Sequence, residues 1–320
     1  MTTLVTGGAG YIGAHVARLL QDRGERVVIV DERSPRSGER AALAFHELDL
    51  LAPGADQELG TIIRDEGVDA IIHFAARKRV DESVARPGWY YQQNVGGLTA
   101  LLGALHGTDV RRVVFSSSAA VYGDVDGGQV AEDAPTRPVN PYGRTKLIGE
   151  WMLADTANVE PIAAASLRYF NVAGAGWPDL GDPESLNLVT IVLDRIRRGL
   201  PPVVYGDDYD TPDGSAIRDY VHVLDLAQAH VAALDHLVGR TGHRVFNVGT
   251  GVGTSVIEVL DMISEVTGIA FEPEITSRRA GDPAAVVARV ERITEELGWR
   301  AQHDLRDIIA SAWEAHRFSR

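Results

Sequence analysis

The first half of the chain alternates short runs of β-branched and aliphatic residues with longer segments whose apolar positions recur at helical spacing. Thr3–Thr6, Val27–Val30, Phe45–Leu48, Ala70–Phe74, Val113–Ser116 and Ile162–Leu167 are predicted strands. Their nearly unbroken Val, Ile and Leu character marks strands covered on both faces. Strands that alternate with helices in this way predict an α/β protein with a doubly wound parallel sheet. Beyond about Leu167 the alternation fails. Ala173–Asp182 and Tyr205–Ser215, rich in Gly, Pro and Asp, predict long structured loops of the kind that build binding sites. Asp219–Val223 and Asp225–Val238 predict one more strand and helix, returning to the main sheet. The expected organisation is therefore a first domain over 1–167, rejoined by 218–240, and a smaller C-terminal lobe over 168–217 and 241–320. No internal repeat is evident.

Composition narrows the class. A chain of 320 residues with 45% hydrophobic content can fill a real core. With 31 Lys and Arg against 45 Asp and Glu, the net charge of −14 argues against a nucleic-acid partner, though a local basic pocket remains compatible with it. The absence of cysteine excludes disulfides, a thiolate nucleophile and a zinc–sulfur site, and agrees with a reducing compartment, so cytoplasm is the expected location. Met1–Thr6 leads straight into a glycine loop without the basic flank or apolar stretch of a signal peptide. No apolar run approaches the roughly 20 residues that cross a bilayer, so no membrane partner is expected.

After the first strand comes Gly7-Gly8-Ala9-Gly10-Tyr11-Ile12-Gly13, with Gly7, Gly10 and Gly13 three apart at the head of an amphipathic pattern. One glycine permits the tight turn, one lets the backbone approach a pyrophosphate, and one lets the helix pack on the strand, while the helix N-terminus offers oriented N–H groups to the anion. Asp31, closing the second strand about 20 residues on, is placed to accept hydrogen bonds from an adenosine ribose. Together they identify a Rossmann-type site for a dinucleotide. Asp31 favours NAD over NADP, whose extra phosphate it would repel even with Arg33 nearby. Asp49, at the end of the next strand, has two readings: a contact to adenine, or a turn aspartate bonded to its own backbone. His73, in an apolar strand, reads as a satisfied core histidine.

Asn140-Pro141 precedes Tyr142-Gly143-Arg144-Thr145-Lys146, so a proline turn opens a helix on which Tyr142 and Lys146, four apart, share a face. A tyrosine titrating near pH 10 needs about 4 kcal/mol of phenolate stabilisation to act as a base near neutrality, and a neighbouring ammonium and a cationic nicotinamide can provide it. Upstream, Ser116, Ser117 and Ser118 follow a strand end, where ligands collect in open α/β sheets. Ser116 and Ser117 also read as a plain hydrogen-bonded strand end.

The Ser118, Tyr142 and Lys146 set resembles the catalytic signature of the short-chain dehydrogenases/reductases, and the glycine spacing and chain length resemble their extended branch. Within it, His73-Phe74-Ala75-Ala76, Tyr90–Val95, Leu167–Asn171, Arg218–Val223 and Arg278–Asp282 make nearly the whole chain similar to the UDP-galactose (UDP-glucose) 4-epimerases. The resemblance implies NAD as cofactor, contacted by Tyr11, Ile12, Leu50, Phe74, Ala75, Ala76, Lys78, Asn94, Ser116 and Tyr169 besides the residues above. It implies a UDP-hexose substrate, lined by Ser118, Tyr142, Asn171, Asn187, Leu188, Tyr205, Arg218, Tyr220, Arg279 and Asp282, and no metal. Arg218 and Arg279 also make independent sense, since a diphosphate calls for cationic forks. A homodimer is expected, through helices over Trp89–Leu105 and Tyr142–Asn158.

This sequence departs from the family pattern at Ala120, where threonine is frequent, and at Ala76, where glycine is frequent. The first puts more weight on the Ser118 hydroxyl, and the second requires ordinary backbone geometry. Three other readings stay open. A 4,6-dehydratase of the same branch would need an Asp-Glu pair where this chain has Ala119-Ala120, and two methyl groups transfer no protons. An epimerase of uronic acids or UDP-N-acetylhexosamines is a second, the latter because Val286 occupies a position that is tyrosine or something smaller in the family. A non-catalytic NAD-binding sensor is the third, because fold does not establish function.

Overall fold

The computed structural model describes residues 1–34, 44–125, 128–279 and 282–318. The chain forms two compact units. The first comprises Met1–Gly123, Thr136–Arg168 and Ala227–Phe246; the second comprises Asp124–Pro135, Tyr169–Leu226 and Asn247–Arg320.

The first unit is built on a seven-stranded sheet in the order Gly242–Val248, Ala163–Tyr169, Arg112–Ser116, Ala70–His73, Thr2–Thr6, Arg26–Asp31, Ala44–Glu47. The six strands from Thr2 to Tyr169 pair in parallel. Strands such as Ala70–His73 are buried at every position, which explains their unalternating apolar sequence. On one face Leu4, Val28, Ile71 and Val113 pack against Leu59 and Ile63 of the helix Ala55–Asp65, Leu98 and Leu101 of the helix Gly97–Ala104, and Leu153 of the helix Pro141–Val159. Strand order reverses at Thr2–Thr6, which lies between the second and fourth strands. This is the switch point at whose carboxyl edge such sheets bind ligands. The fold is the expected Rossmann-type doubly wound sheet.

The second unit carries a five-stranded sheet ordered Gly253–Ser255, Ile217–His222, Ala285–Ala288, Gln129–Val130, with Asn171–Ala173 also pairing Ile217–His222. A two-stranded pair joins Val203–Tyr205 to Glu274–Thr276. Helices Leu188–Arg197, Val256–Thr267 and Leu305–Phe318 close a separate core around Val192, Leu193, Leu260, Ile263 and Ile309.

Three expectations about the chain need correction. The strand predicted at Asp219–Val223 forms as Ile217–His222 but pairs within the smaller sheet, not the main one. The strand that does return to the main sheet is Gly242–Val248, placed by the sequence reading in the lobe. The units accordingly part at Leu226/Ala227, inside the helix Val223–His236. The single helix expected over Trp89–Leu105 is also interrupted: Pro87–Tyr91 and Gly97–Ala104 flank a π-helical turn at Gln92–Gly96, which contains Asn94.

Candidate active site

The glycine loop closes the first strand and opens the helix Tyr11–Asp22. Gly7 has φ +71, and a Cβ there would sit 2.6 Å from the Ala75 nitrogen; a Cβ at Gly13 would sit 2.4 Å from the Gly7 carbonyl oxygen. Backbone thus occupies the space of both missing side chains, and the loop is held close to the 74–75 segment after the fourth strand. The helix enters through Gly10 with no side-chain cap and no acidic residue in its first turn, so no carboxylate of the helix itself competes for its positive end. Asp31 is buried, accepting hydrogen bonds from the Ala9 and Arg33 amides at 3.0 Å each. Burial raises its carboxyl above the ordinary range, against the pull of those two amides. The carboxylate therefore stands beside the loop at the end of the second strand, and the cradle fits a dinucleotide.

Asp49 is exposed and accepts from the Leu51 amide at 2.9 Å, the turn geometry that was one of its two readings; Leu50 behind it is buried. No non-glycine residue among those described has positive φ, so Ala76 meets the condition its departure from glycine imposed. Asn94 is buried, its amide accepting from the Arg77 nitrogen at 2.7 Å and donating to the Arg77 carbonyl and to Thr145 Oγ1, each at 3.0 Å. It therefore joins the segment after the fourth strand to the helix that carries Tyr142. His73 is a core residue, as expected, 2.6 Å from Thr6 Oγ1 and stacked on Phe115. Burial, with Lys146 adding to it, holds this imidazole down to about 3.

The helix Pro141–Val159 starts as its sequence dictates: Asn140 caps it, accepting from the Gly143 amide at 2.8 Å, and Pro141 takes the first turn. Tyr142 and Lys146 are both buried. Lys146 Nζ donates to the Ser116 carbonyl at 2.7 Å and lies 5.9 Å from the Tyr142 ring centre. Burial pulls the Lys146 ammonium down to about 7. Ser118 begins the short turn Ala119–Val121, its hydroxyl accepting from the Ala120 amide at 3.2 Å. Gly143 locks this turn to the helix: a Cβ there would come within 2.4 Å of the Ala120 carbonyl oxygen. The serine turn, Tyr142 and Lys146 thus form one constellation within the first unit.

In the second unit, Arg218 Nη2 bonds Asp282 Oδ1 at 2.6 Å, and the Arg279 guanidinium stacks 3.8 Å over the Tyr205 ring. Tyr220 is buried beside Arg218, and burial raises its phenol. Asn171 pairs with Tyr220 in register. Asn187 caps the helix that begins at Leu188, accepting from the Thr190 amide at 3.0 Å and donating to Asp182 at 2.9 Å. Val286 pairs with Arg218. Ala280 and Gly281 of the Arg278–Asp282 motif lie outside the described residues.

The sequence reading missed two features. Asp219 is buried and accepts from the amides of Thr250, Gly251 and Ala288 at 2.8, 3.0 and 3.1 Å, fixing the strand that bears Arg218 and Tyr220. Glu150 and Arg168 form a buried ion pair at 2.6 Å. The signal for Glu150 was its spacing of four from Lys146 and eight from Tyr142, which puts an acid on the buried face of the helix.

A glycine-lined loop at the switch point of a Rossmann-type sheet, with Tyr142, Lys146 and Ser118 gathered on one helix and turn, defines a dinucleotide-binding protein of the short-chain dehydrogenase/reductase class. Residues 3–249 match the model of the NAD dependent epimerase/dehydratase family, and the chain belongs to that family. It is 42% identical over 319 residues to the UDP-glucose 4-epimerase of Corynebacterium glutamicum, across 98% of this chain and 95% of that one. Among solved structures, it superposes on a UDP-glucose 4-epimerase from Stenotrophomonas maltophila with bound NAD and formylated UDP-arabinopyranose, with a TM-score of 0.93, 41% identity and 99% and 98% of the two chains covered. The Bifidobacterium longum UDP-glucose 4-epimerase in complex with NAD+ and UDP matches with a TM-score of 0.90 and 38% identity, over 99% of this chain and 98% of the other. No helix among the described residues is long and apolar enough to cross a membrane.

Proposed function

We propose that this protein is an NAD-dependent UDP-glucose 4-epimerase, interconverting UDP-glucose and UDP-galactose through a 4-keto sugar. The observation that carries this reading is the buried Tyr142/Lys146 helix locked through Gly143 onto the Ser118 turn, in a chain similar to UDP-glucose 4-epimerases over nearly its whole length.

Gly7, Gly10 and Gly13 would hold the pyrophosphate of NAD, Asp31 its adenosine ribose, and Phe74–Ala76, Lys78 and Tyr169 the far half. When bound, NAD supplies reversible hydride acceptance from the sugar carbon. The Tyr142 phenolate takes the proton of the 4-hydroxyl as that carbon is oxidised, and returns it when the carbon is reduced. Lys146 assists this step: burial has lowered its hold on a proton, and a phenolate beside it would favour its cation, which in turn stabilises that phenolate. Ser118 orients the hydroxyl and relays its proton. Arg218 and Arg279 grip the diphosphate, with Asn187, Leu188, Tyr205 and Asp282 around the UDP part. Binding energy concentrated there leaves the keto sugar free to turn over about its diphosphate link and be reduced on the opposite face.

Ala119 and Ala120 carry no proton-transferring group, which weighs against a dehydratase. Val286 occupies a position that is tyrosine or something smaller in the family, so UDP-N-acetylhexosamines belong among the substrates tested. A cytoplasmic homodimer goes with this reading. Trp151, 58% exposed on the helix Pro141–Val159, supports that helix as the subunit contact.

The test is product analysis with UDP-galactose and the purified protein, with no cofactor or oxidant added. UDP-glucose should accumulate to equilibrium while bound NAD is transiently reduced. Bound NAD without turnover would favour a sensor, and a 4-keto-6-deoxy sugar a dehydratase.

A further inference from the structure

We propose that the buried Glu150–Arg168 ion pair is a positioning device for the reaction, holding the turn that carries Ser118 on the helix that carries Tyr142 and Lys146. The proposal rests on the catalytic role given to Ser118 above.

Glu150 lies on the Tyr142 helix, and Arg168 lies in the adjacent sheet strand Ala163–Tyr169. The guanidinium grips the carboxylate as a fork, Nε to Oε1 at 2.9 Å and Nη2 to Oε2 at 2.6 Å. Both residues are at most 5% exposed. Burial alone would weaken the Arg168 cation, but the hydrogen bond and charge of Glu150 outweigh it and push its pKa above the ordinary value. The two ends of the pair then reach the two ends of the serine turn. Ser117, immediately before Ser118, donates its hydroxyl proton to Glu150 Oε1 at 2.5 Å. Arg168 Nη1 donates to the hydroxyl oxygen of Tyr122, immediately after Ala119–Val121, at 3.1 Å. Lys146 takes the carbonyl of Ser116 one residue earlier. Thus the short backbone stretch that presents Ser118 is tied to the helix that presents the base, directly at its Ser116–Ser117 end and through Arg168 at its Tyr122 end.

Stability alone is a poor account of this arrangement. Two buried charges are costly to desolvate, and well-packed apolar side chains often serve a core as well. The directional ends are what an apolar pair would lose. A catalytic hydroxyl a fraction of an ångström out of place forfeits much of its contribution.

The test uses the NAD-loaded enzyme in two designs. Glu150→Leu with Arg168→Met exchanges the ion pair for apolar packing; Ser117→Ala with Tyr122→Phe keeps the pair and removes its reach to the turn. Each should lower kcat roughly tenfold or more, with KM for UDP-galactose and NAD content unchanged. In a Ser118→Ala background the same changes should cost less than about threefold, because groups acting as a unit are not additive. A kcat unchanged in both folded designs, or the same fold-loss with and without Ser118, overturns the proposal. If Ser118→Ala alone leaves the rate unchanged, it is the serine assignment that fails, and the positioning role falls with it.

Discussion

Lys146 Nζ donates to the main-chain carbonyl of Ser116 at 2.7 Å. The contact ties the helix Pro141–Val159 to the end of the strand Arg112–Ser116 and holds the buried ammonium 5.9 Å from the Tyr142 ring centre. Burial brings this cation down to about 7, and under the proposed mechanism a phenolate at Tyr142 would favour its charged form. Lys146→Met should lower kcat by roughly 10²–10⁴-fold, the range typical of acid–base assistance, with little change in KM.

The same burial sets a pH dependence of stability. Between pH 7 and the value near 10.4 where an exposed lysine titrates, the unfolded chain holds a proton that the folded, NAD-free protein has released. This group's contribution therefore becomes more favourable as pH rises through that window, and its destabilising effect is complete below it. Denaturant midpoints at pH 7 and 9 should rise more for the wild type than for Lys146→Met. Equal changes would mean the lysine is not held in its buried site.

Asp31 accepts two amide hydrogen bonds beside the glycine loop, and the proposed function sets its carboxylate against the adenosine ribose of NAD, where it would repel a 2′-phosphate. Replacing it by serine should weaken NAD binding roughly 10- to 100-fold, matching the ~1.5–3 kcal/mol of a hydrogen bond to a charged group, and should improve NADP binding. Fluorescence titration of the NAD-free protein measures both. An unchanged preference would remove Asp31 from cofactor selection.

Arg218 points one guanidinium nitrogen at Asp282 and lies on a strand fixed by the buried Asp219. Arg218→Ala should raise KM for UDP-galactose about tenfold or more, as loss of a charge-assisted contact to a diphosphate would, while bound NAD stays at wild-type content. A KM that does not move would place the diphosphate elsewhere.

Much of the first unit was legible because its strands are buried on both faces, so Val27–Val30 or Val113–Ser116 stand out as unbroken apolar runs. The glycine loop was legible for a steric reason, since no side chain fits at Gly7 or Gly13. Gly242–Val248 was missed because His243, Arg244 and Asn247 interrupt its apolar character, and its burial follows no strict alternation. In the second unit, strands of two to four residues, such as Gln129–Val130 and Ala285–Ala288, are too short for periodicity to mark. The helical spacing of Glu150 marks it as an acid on the Tyr142 face, but nothing in the sequence points to Arg168; only the fold shows each to be the other's partner. The π-helical turn at Asn94 likewise leaves no trace in an otherwise helical pattern.

The central claim is that the oxygen of Tyr142 exchanges a proton with the sugar 4-hydroxyl. Steady-state turnover of UDP-galactose by Tyr142→Phe measures it directly, because the change removes one oxygen and keeps the buried ring. The rate should fall by roughly 10²–10⁴-fold with the helix and bound NAD intact. Turnover at the wild-type rate would contradict the account.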